Sequence, residues 1–401
     1  MSKATLSYSL MQSTEWALDA CLYCYSSVFL LSCGLNNTSI GILLAAAACF
    51  SFFGQIFFGE YLNSRGNRAL KYFLLLGGGV LCADSILLLL ELPQLLSVFL
   101  YIISCLYLQL LPAFLNSAAM YKIRMGVSIQ YGIGRGFGSL GYAVSSVIAG
   151  QLISYFGISV IFCLSIALSI IFLFSVRWFF AVTWQHTDIN ICPYPQEKSA
   201  SGHRFDLGFL SRYPRFAAVL AGIVILMTGH TYISNFIYQI LSFKGGNETA
   251  VGIASAIAAC AEFPVLFLFD KFSHRLRCDI WLKLSCIILT LKVLLAFLAN
   301  TLLLFHFSEI LQMGYALFVA SSVYYTGFLI PGEDAISSQA YLNAASTLGV
   351  LLSLLSGGFL IDHFGIPALL LTGVVSLSIG TLIILGSVRS KITSSTDQST
   401  S

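Results

Sequence analysis

The chain has 401 residues, of which 58% are hydrophobic and only 9% charged. A soluble domain carries about 25% charged residues, so this composition excludes an ordinary soluble enzyme or binding module and places the chain in a lipid bilayer as a polytopic helical protein. A net charge of +3 is too small to argue for nucleic acid, and no nucleic-acid partner is expected.

A hydrocarbon core takes about 20 apolar residues per helix. Twelve runs meet that length, at roughly 10–33, 38–60, 68–90, 94–120, 129–154, 157–180, 214–241, 249–270, 280–300, 307–329, 335–360 and 364–388. The first run lacks a small-x-small cleavage site, so it is expected as a retained first span rather than a signal peptide. Most connections are very short, which makes consecutive spans antiparallel neighbours. The exception runs from Trp184 to Pro214 and holds Pro193, Pro195, Gly202 and scattered charges; it reads as a hydrophilic linker. The expected organisation is an N-terminal six-helix bundle over 1–183, a cytoplasmic linker over 184–213, a C-terminal six-helix bundle over 214–390 and a cytoplasmic tail over 391–401.

Basic residues test this topology. Seventeen of the 20 Lys and Arg fall at the two ends of the chain, or in or beside the 2–3, 4–5, 6–7 and 8–9 connections. Lys244 falls on the other side, and Arg135 and Lys292 lie within or at the edge of spans. The positive-inside rule then puts both termini and the linker in the cytoplasm. The expected location is the inner (cytoplasmic) membrane, and the expected state is a monomer. The 11 cysteines fall mostly inside apolar runs, as small buried hydrophobes do. None is arranged with a second pair or with histidines at metal-ligand spacing, so neither metal nor cofactor is expected. No G-x-x-x-x-G-K loop is present, which disfavours an ATP-driven pump.

The halves repeat. Ile40-Gly41-Ile42 followed by Ala45–Cys49 matches Val251-Gly252-Ile253 followed by Ala256–Cys260, at an offset of 211. Leu140-Gly141, Gly150-x-Leu152-Ile153 and Phe156-Gly157-Ile158 recur as Leu348-Gly349, Gly358-x-Leu360-Ile361 and Phe364-Gly365-Ile366, at an offset of 208. A parallel six-plus-six repeat about an axis along the membrane normal predicts two pseudo-symmetric bundles with a solute site near mid-membrane between them. The fold class is therefore an all-α membrane protein of 12 transmembrane helices.

Ionisable residues inside spans are costly and mark functional candidates. Glu15 and Asp19 are one turn apart on the first span and share a face. They suit a proton or cation site, or recognition of a cationic group. Glu262 lies near mid-span beside Pro264, and Lys292 in the next span could pair with it. His230 sits among Gly229, Thr231 and Asn235, and is as fit for a packed interior as for a site. Asn116, Gln312, Gln339 and Asn343 are candidate hydrogen-bonders to a polar solute, Asn343 being the repeat equivalent of Arg135. Tyr23, Tyr142, Tyr238 and Tyr315 could stack on a ring. Asp84 is expected to be structural, as are the flanking Arg65, Arg68, Arg275 and Arg277.

Several blocks resemble the major facilitator superfamily, closest to the branch of lactose permease, nucleoside permeases and phenylpropionate permease. YGIGRGFGSLGY (Tyr131–Tyr142) resembles the helix-5 block of lactose permease, GHTYISNFIYQIL (Gly229–Leu241) the start of its helix 7 and AEFPVLFLF (Ala261–Phe269) its helix 8. Gly59-x-x-x-Asn63-x-x-Gly66-x-Arg68 resembles the superfamily's 2–3 loop motif, with Asn63 in place of aspartate. The resemblance implies that Arg135 binds the solute, that Tyr142 stacks on it, that Glu262 is a ligand-binding carboxylate, and that Lys292 stands near a coupling arginine. Two departures accompany it. The proton-coupling histidine and glutamate of lactose permease align near Gln312 and Tyr315, and the glutamate that partners its sugar-binding arginine has no match in Leu115-Asn116-Ser117. The resemblance implies a proton-coupled symporter of a small polar solute such as a sugar, oligosaccharide or nucleoside, and no enzyme activity. In that mechanism Arg135, Tyr142, Glu262, Asn116, His230, Asn235 and Asn343 are candidate solute contacts. Asp19, Glu262, Lys292 and Glu15 are candidate proton-coupling groups. A drug or metabolite exporter of the same fold is the alternative, with a transporter-like sensor behind it.

Overall fold

In the computed structural model the described residues are 2–90, 92–182, 207–273, 277–330 and 334–388, and their regular structure is all helical. Most of the expected linker and all of the expected tail fall outside them, with Lys198, Arg204, Arg275, Arg389 and Lys391. Among the described residues fourteen helices form: α1 (Lys3–Leu22), α2 (Ser26–Ser32), α3 (Asn37–Leu88), α4 (Gln94–Arg124), α5 (Tyr131–Phe156), α6 (Val160–Ala181), α7 (Leu207–Arg212), α8 (Pro214–Asn235), α9 (Ile237–Phe243), α10 (Glu248–Ser273), α11 (Cys278–Leu298), α12 (Leu302–Ile310), α13 (Met313–Leu329) and α14 (Ala335–Ser387).

Ten segments among the described residues are long and apolar enough to cross a membrane. The last, Ser338–Ser387, is 50 residues long and turns at Gly365, whose φ of 80° breaks the helix, so it crosses twice. The twelfth crossing is α1 with α2, whose Gln12, Glu15 and Asp19 lower its apolar character. The expected loop between spans 2 and 3 is instead helical, and α3 carries both spans. No proline interrupts 37–88 to stop it.

The repeat is visible in the backbone. Left-handed glycines stand at equivalent turns, Gly34 with Gly245 and Gly157 with Gly365, all with φ between 80° and 82°. Such angles are open to glycine at no steric cost. The first span of each half also breaks at an equivalent place. Tyr25 (φ −99°, ψ 15°) separates α1 from α2, and Phe236 (φ −121°, ψ 29°) separates α8 from α9. One break has no counterpart. Span 4 is the continuous helix α4, whereas span 10 tightens at Leu311–Gln312 into i→i+3 bonds. Leu311 N–H donates to Ser308 O and Gln312 N–H to Glu309 O, each at 3.0 Å. A short 3₁₀ stretch inside a helix often marks a functional position.

Each half buries its own aromatic core: Tyr8, Tyr101, Phe162, Phe172 and Phe179 in the first, Phe216, Phe236 and Phe305 in the second. Large side chains such as Phe50, Phe53, Phe57 and Leu382 remain exposed on the outside, as a lipid-facing surface allows. The halves meet at two crossings, α3 with α14 and α5 with α10, and both are built on glycine. A Cβ at Gly41 would overlap the carbonyl oxygen of Leu354, and one at Gly252 the equivalent carbonyl of Ser146. Gly358 and Gly150 face the carbonyls of Asn37 and Glu248 in the same way. Backbone approach this close requires small residues.

Hydrogen bonds between the halves, among described residues, run from mid-height to the end that carries the 1–2 and 7–8 connections. Asp362 accepts from Asn37 N–H (3.2 Å), Asn37 Nδ2 (2.8 Å), Thr38 N–H (2.7 Å) and Thr38 Oγ1 (2.6 Å), all at the N-terminus of α3. At the other crossing Ser154 Oγ meets Thr249 Oγ1 at 3.1 Å and Glu248 Oε2 only at 3.5 Å.

Candidate functional site

The breaks in spans 1, 7 and 10 surround a cavity of about 390 Å³ between the halves. Asp19, Arg135, Tyr142, His230, Asn235, Glu262 and Lys292 line it, all of them marked in the sequence. Glu15, Asn116 and Asn343 do not. Among the described residues no α4 or α14 side chain is in the lining, so Asn116 and Asn343 stand behind or away from the wall. Asn343 is exposed and its carbonyl accepts from Thr347 Oγ1. Glu15 is only 1% exposed and is absent from the cavity lining.

The N-terminal wall is neutral apart from Asp19 and one cation. Arg135 Cζ lies 5.4 Å from the centre of the Trp16 ring, a cation–π distance. Trp16 Nε1 donates to Gln12 Oε1 at 3.2 Å. Gln12 Nε2 in turn donates to Tyr8 Oη (2.8 Å) and Asn116 Oδ1 (3.0 Å), and Tyr8 Oη donates to Asn116 Oδ1 (3.3 Å). Tyr8, Gln12 and Trp16 are spaced by four and share a face of α1. The indole fits because Gly138 has no side chain, and Tyr142 meets it edge-on at 6.1 Å. Asn116, in the block where the expected glutamate has no match, thus holds Gln12, which in turn holds the indole under Arg135. Trp16 and Gln12 escaped the sequence analysis. The signal available was their spacing with Tyr8.

The C-terminal wall is a chain of charges. Lys292 Nζ lies 2.8 Å from Glu309 Oε2 and donates to Gln312 Oε1 at 2.5 Å. Gln312 Nε2 donates to Glu262 Oε1 at 2.8 Å. The expected Lys292–Glu262 pair is therefore replaced by an amide bridge, because the tight turn at Leu311–Gln312 brings both Glu309 and Gln312 to the lysine. Lys292 is 1% exposed and Glu309 2%, so neither charge is tolerable without the other. Glu309 is the residue missed on this side. It is the only acid in Leu302–Leu329, and a lone intramembrane acid is itself a signal. His230 stacks on Tyr315 with centroids 5.0 Å apart, and its Nδ1 has no hydrogen-bond partner. Gln339 is spent on the carbonyl of Val323 and Asp84 on Ser104 Oγ, both away from the cavity.

The arrangement can bind, desolvate and exchange protons. The ten described cysteines are free, and among the described residues no group of three or more His, Cys, Asp and Glu could hold a metal.

Comparison with known proteins agrees with this architecture. The fold matches that of the nucleoside transporter NupG, with a TM-score of 0.77 to a point mutant of that transporter and 0.74 to a second structure. The identities are 14% and 13%, covering 96% of this chain and 98% of those. In sequence the chain is 25% identical over 264 residues to a maltose permease of Geobacillus stearothermophilus. That match spans 64% of this chain and 62% of the permease. The model of the MFS_1 like family matches residues 14–370, and the chain belongs to that family.

Proposed function

We propose that this protein is a secondary transporter that moves a small polar solute, a sugar, oligosaccharide or nucleoside, in symport with protons. The observation that carries the proposal is the cavity between the two halves, where an arginine held on an indole faces a buried Glu–Gln–Lys–Glu chain. The names of the maltose permease and the nucleoside transporter support the solute class. The site's chemistry is binding and proton exchange rather than bond-making, so no enzyme activity is assigned.

In this mechanism the bundle over 1–183 rocks against the bundle over 214–390, and the linker over 184–213 spans them. Arg135 donates to solute hydroxyls, Tyr142 and Trp16 flank a ring, and Asn235 and His230 offer further polar contacts. Glu262 is the exchangeable carboxylate of the C-terminal wall. When it is ionised it holds Gln312 Nε2; when it is protonated the amide loses that anionic acceptor, and Lys292 is left with Glu309. Solute and proton thereby act on one network, and each changes which arrangement of the halves is favoured. The inter-half bonds close the end of the 1–2 and 7–8 connections, which the basic residues assign to the outside. The cavity accordingly faces the cytoplasm, in an inner-membrane monomer with cytoplasmic termini.

The test is uptake of labelled maltose and uridine into proteoliposomes under an imposed pH gradient. Accumulation that collapses with the gradient is expected, and Glu262→Gln should abolish it while leaving exchange of solute. If no solute moves under a gradient of either direction, the symport proposal fails. Gradient-driven expulsion of a cationic dye would instead select the exporter, a reading favoured by Asp19, which lines the cavity with no cation paired to it.

A further inference from the structure

Four carboxylates and two fixed cations stand in or beside the cavity: Glu15, Asp19, Glu262 and Glu309 against Arg135 and Lys292. Lys292 is matched to Glu309 at 2.8 Å. Arg135 makes no ion pair with a described carboxylate, and its guanidinium rests over Trp16. A low-dielectric interior does not tolerate such a deficit of positive charge, so bound cations must make it up.

Glu15 is where the deficit is sharpest. It is 1% exposed, and neither carboxyl oxygen has a hydrogen-bond partner. Asp19 lies one turn further along α1 and lines the cavity, whereas Glu15 does not. The surroundings hold one nearby cation, Arg135, and it forms no ion pair with either carboxylate. From α5, Arg135 and Tyr142 face the pair, and from α4, Cys105 lies beside Asp19. On α1 itself and just beyond it stand Cys21, Tyr23 and Cys24. Lys122, on α4, is spent on the carbonyl of Phe179, and the only charged residue of α6 is Arg177 near its end. A metal ion would need several oxygen ligands converging on it, and none meets the Glu15 carboxyl.

We propose that Glu15 and Asp19 form a proton-binding site of the N-terminal half, separate from the Glu262–Gln312–Lys292–Glu309 chain. Asp19 is the port that exchanges with cavity water, and Glu15 is the buried seat of the proton. The loaded protein therefore holds two protons, one in each half. The site stands on the geometry of α1; its use, two protons per solute, rests on the transporter reading above.

The test is infrared difference spectroscopy of the full-length protein in lipid nanodiscs, titrated from mildly acidic to mildly alkaline pH without any solute. The expected result is two carbonyl-stretch signals from protonated carboxylic acids. Glu15→Gln removes one and Glu262→Gln removes the other, each leaving its counterpart in place. Asp19→Asn retains the Glu15 signal but slows its exchange in deuterated water. Glu15→Asp shifts the signal rather than abolishing it, which separates loss of the site from loss of fold. No signal sensitive to both Glu15 variants in folded protein would overturn the proposal. So would a Glu15 signal that sodium or lithium chloride removes at fixed pH, since the ligand would then be an alkali cation. The spectra use no solute, so failed uptake of maltose and uridine would sink the transporter reading and leave this result standing.

Discussion

The two walls of the cavity come from equivalent halves of a repeat, yet they hold polar groups by opposite means. The N-terminal wall props one arginine on neutral partners: an indole, two amides and a phenol drawn from α1 and α4. The C-terminal wall locks an ammonium between two glutamates, one direct and one through an amide. One backbone difference bears on this directly. Span 4 runs unbroken, while span 10 tightens at Leu311–Gln312 and turns two polar side chains toward Lys292. Neutral support leaves Arg135 without an ion pair to a described carboxylate, and in the proposed mechanism this frees it for a ligand while the charged wall answers to a proton.

The contrast breaks first at Lys292. Lys292→Met strands Glu309 in the interior and should cost about 3–5 kcal/mol, seen as a fall in the thermal unfolding temperature in detergent. Adding Glu309→Leu should return most of that stability without restoring solute accumulation. A single variant as stable as the parent would mean that the C-terminal wall is not held by charge. The N-terminal wall should break more gently. Asn116→Leu leaves the donors of Gln12 and Tyr8 buried without their acceptor, at a cost of about 1–3 kcal/mol. Asn116→Asp keeps the acceptor and should cost less in the same unfolding assay. Equal losses would show that the amide network does not depend on an acceptor at 116. The smallest effect belongs to Trp16. Trp16→Leu removes a cation–π contact of about 0.5–2 kcal/mol, so solute binding measured by calorimetry should weaken while stability hardly changes. Trp16→Phe should retain part of the affinity, and unaltered affinity in Trp16→Leu would remove the indole from the site.

Much of this was legible in the sequence because lipid imposes strict rules. Span length and the 208- and 211-residue offsets together point to a repeated all-helical membrane fold. Single ionisable residues in apolar runs pointed to Asp19, Arg135, Glu262 and Lys292, and each lines the cavity. What stayed hidden was partnership. Sequence distance cannot say that Lys292 prefers Glu309 over Glu262, because that choice follows from a local tightening with no proline or glycine at its centre. Repeat equivalence also carried less than it promised. Asn343 matches Arg135 in the backbone repeat, but it does not line the wall, so the match places a residue without giving it a role. Asn116 showed the reverse: it stands in a block with no match for the family's glutamate, yet it reaches the site through Gln12.

Gln312 has one more property. An amide has two unlike ends, and here both are dictated from outside. The ammonium of Lys292 can only donate, so the oxygen of Gln312 must face it. The nitrogen is then left for Glu262, which as a carboxylate can only accept. Turned around, the side chain would set donor against donor at one end and acceptor against acceptor at the other. Gln312 is therefore a polarised link with one permitted direction, and it carries no charge of its own to be titrated away. A protonated Glu262 can donate as well as accept, and the requirement at that end lapses. The residue that cannot bind a proton is thus the one whose hydrogen bond to Glu262 registers whether that neighbour has, while Lys292 keeps its direction fixed.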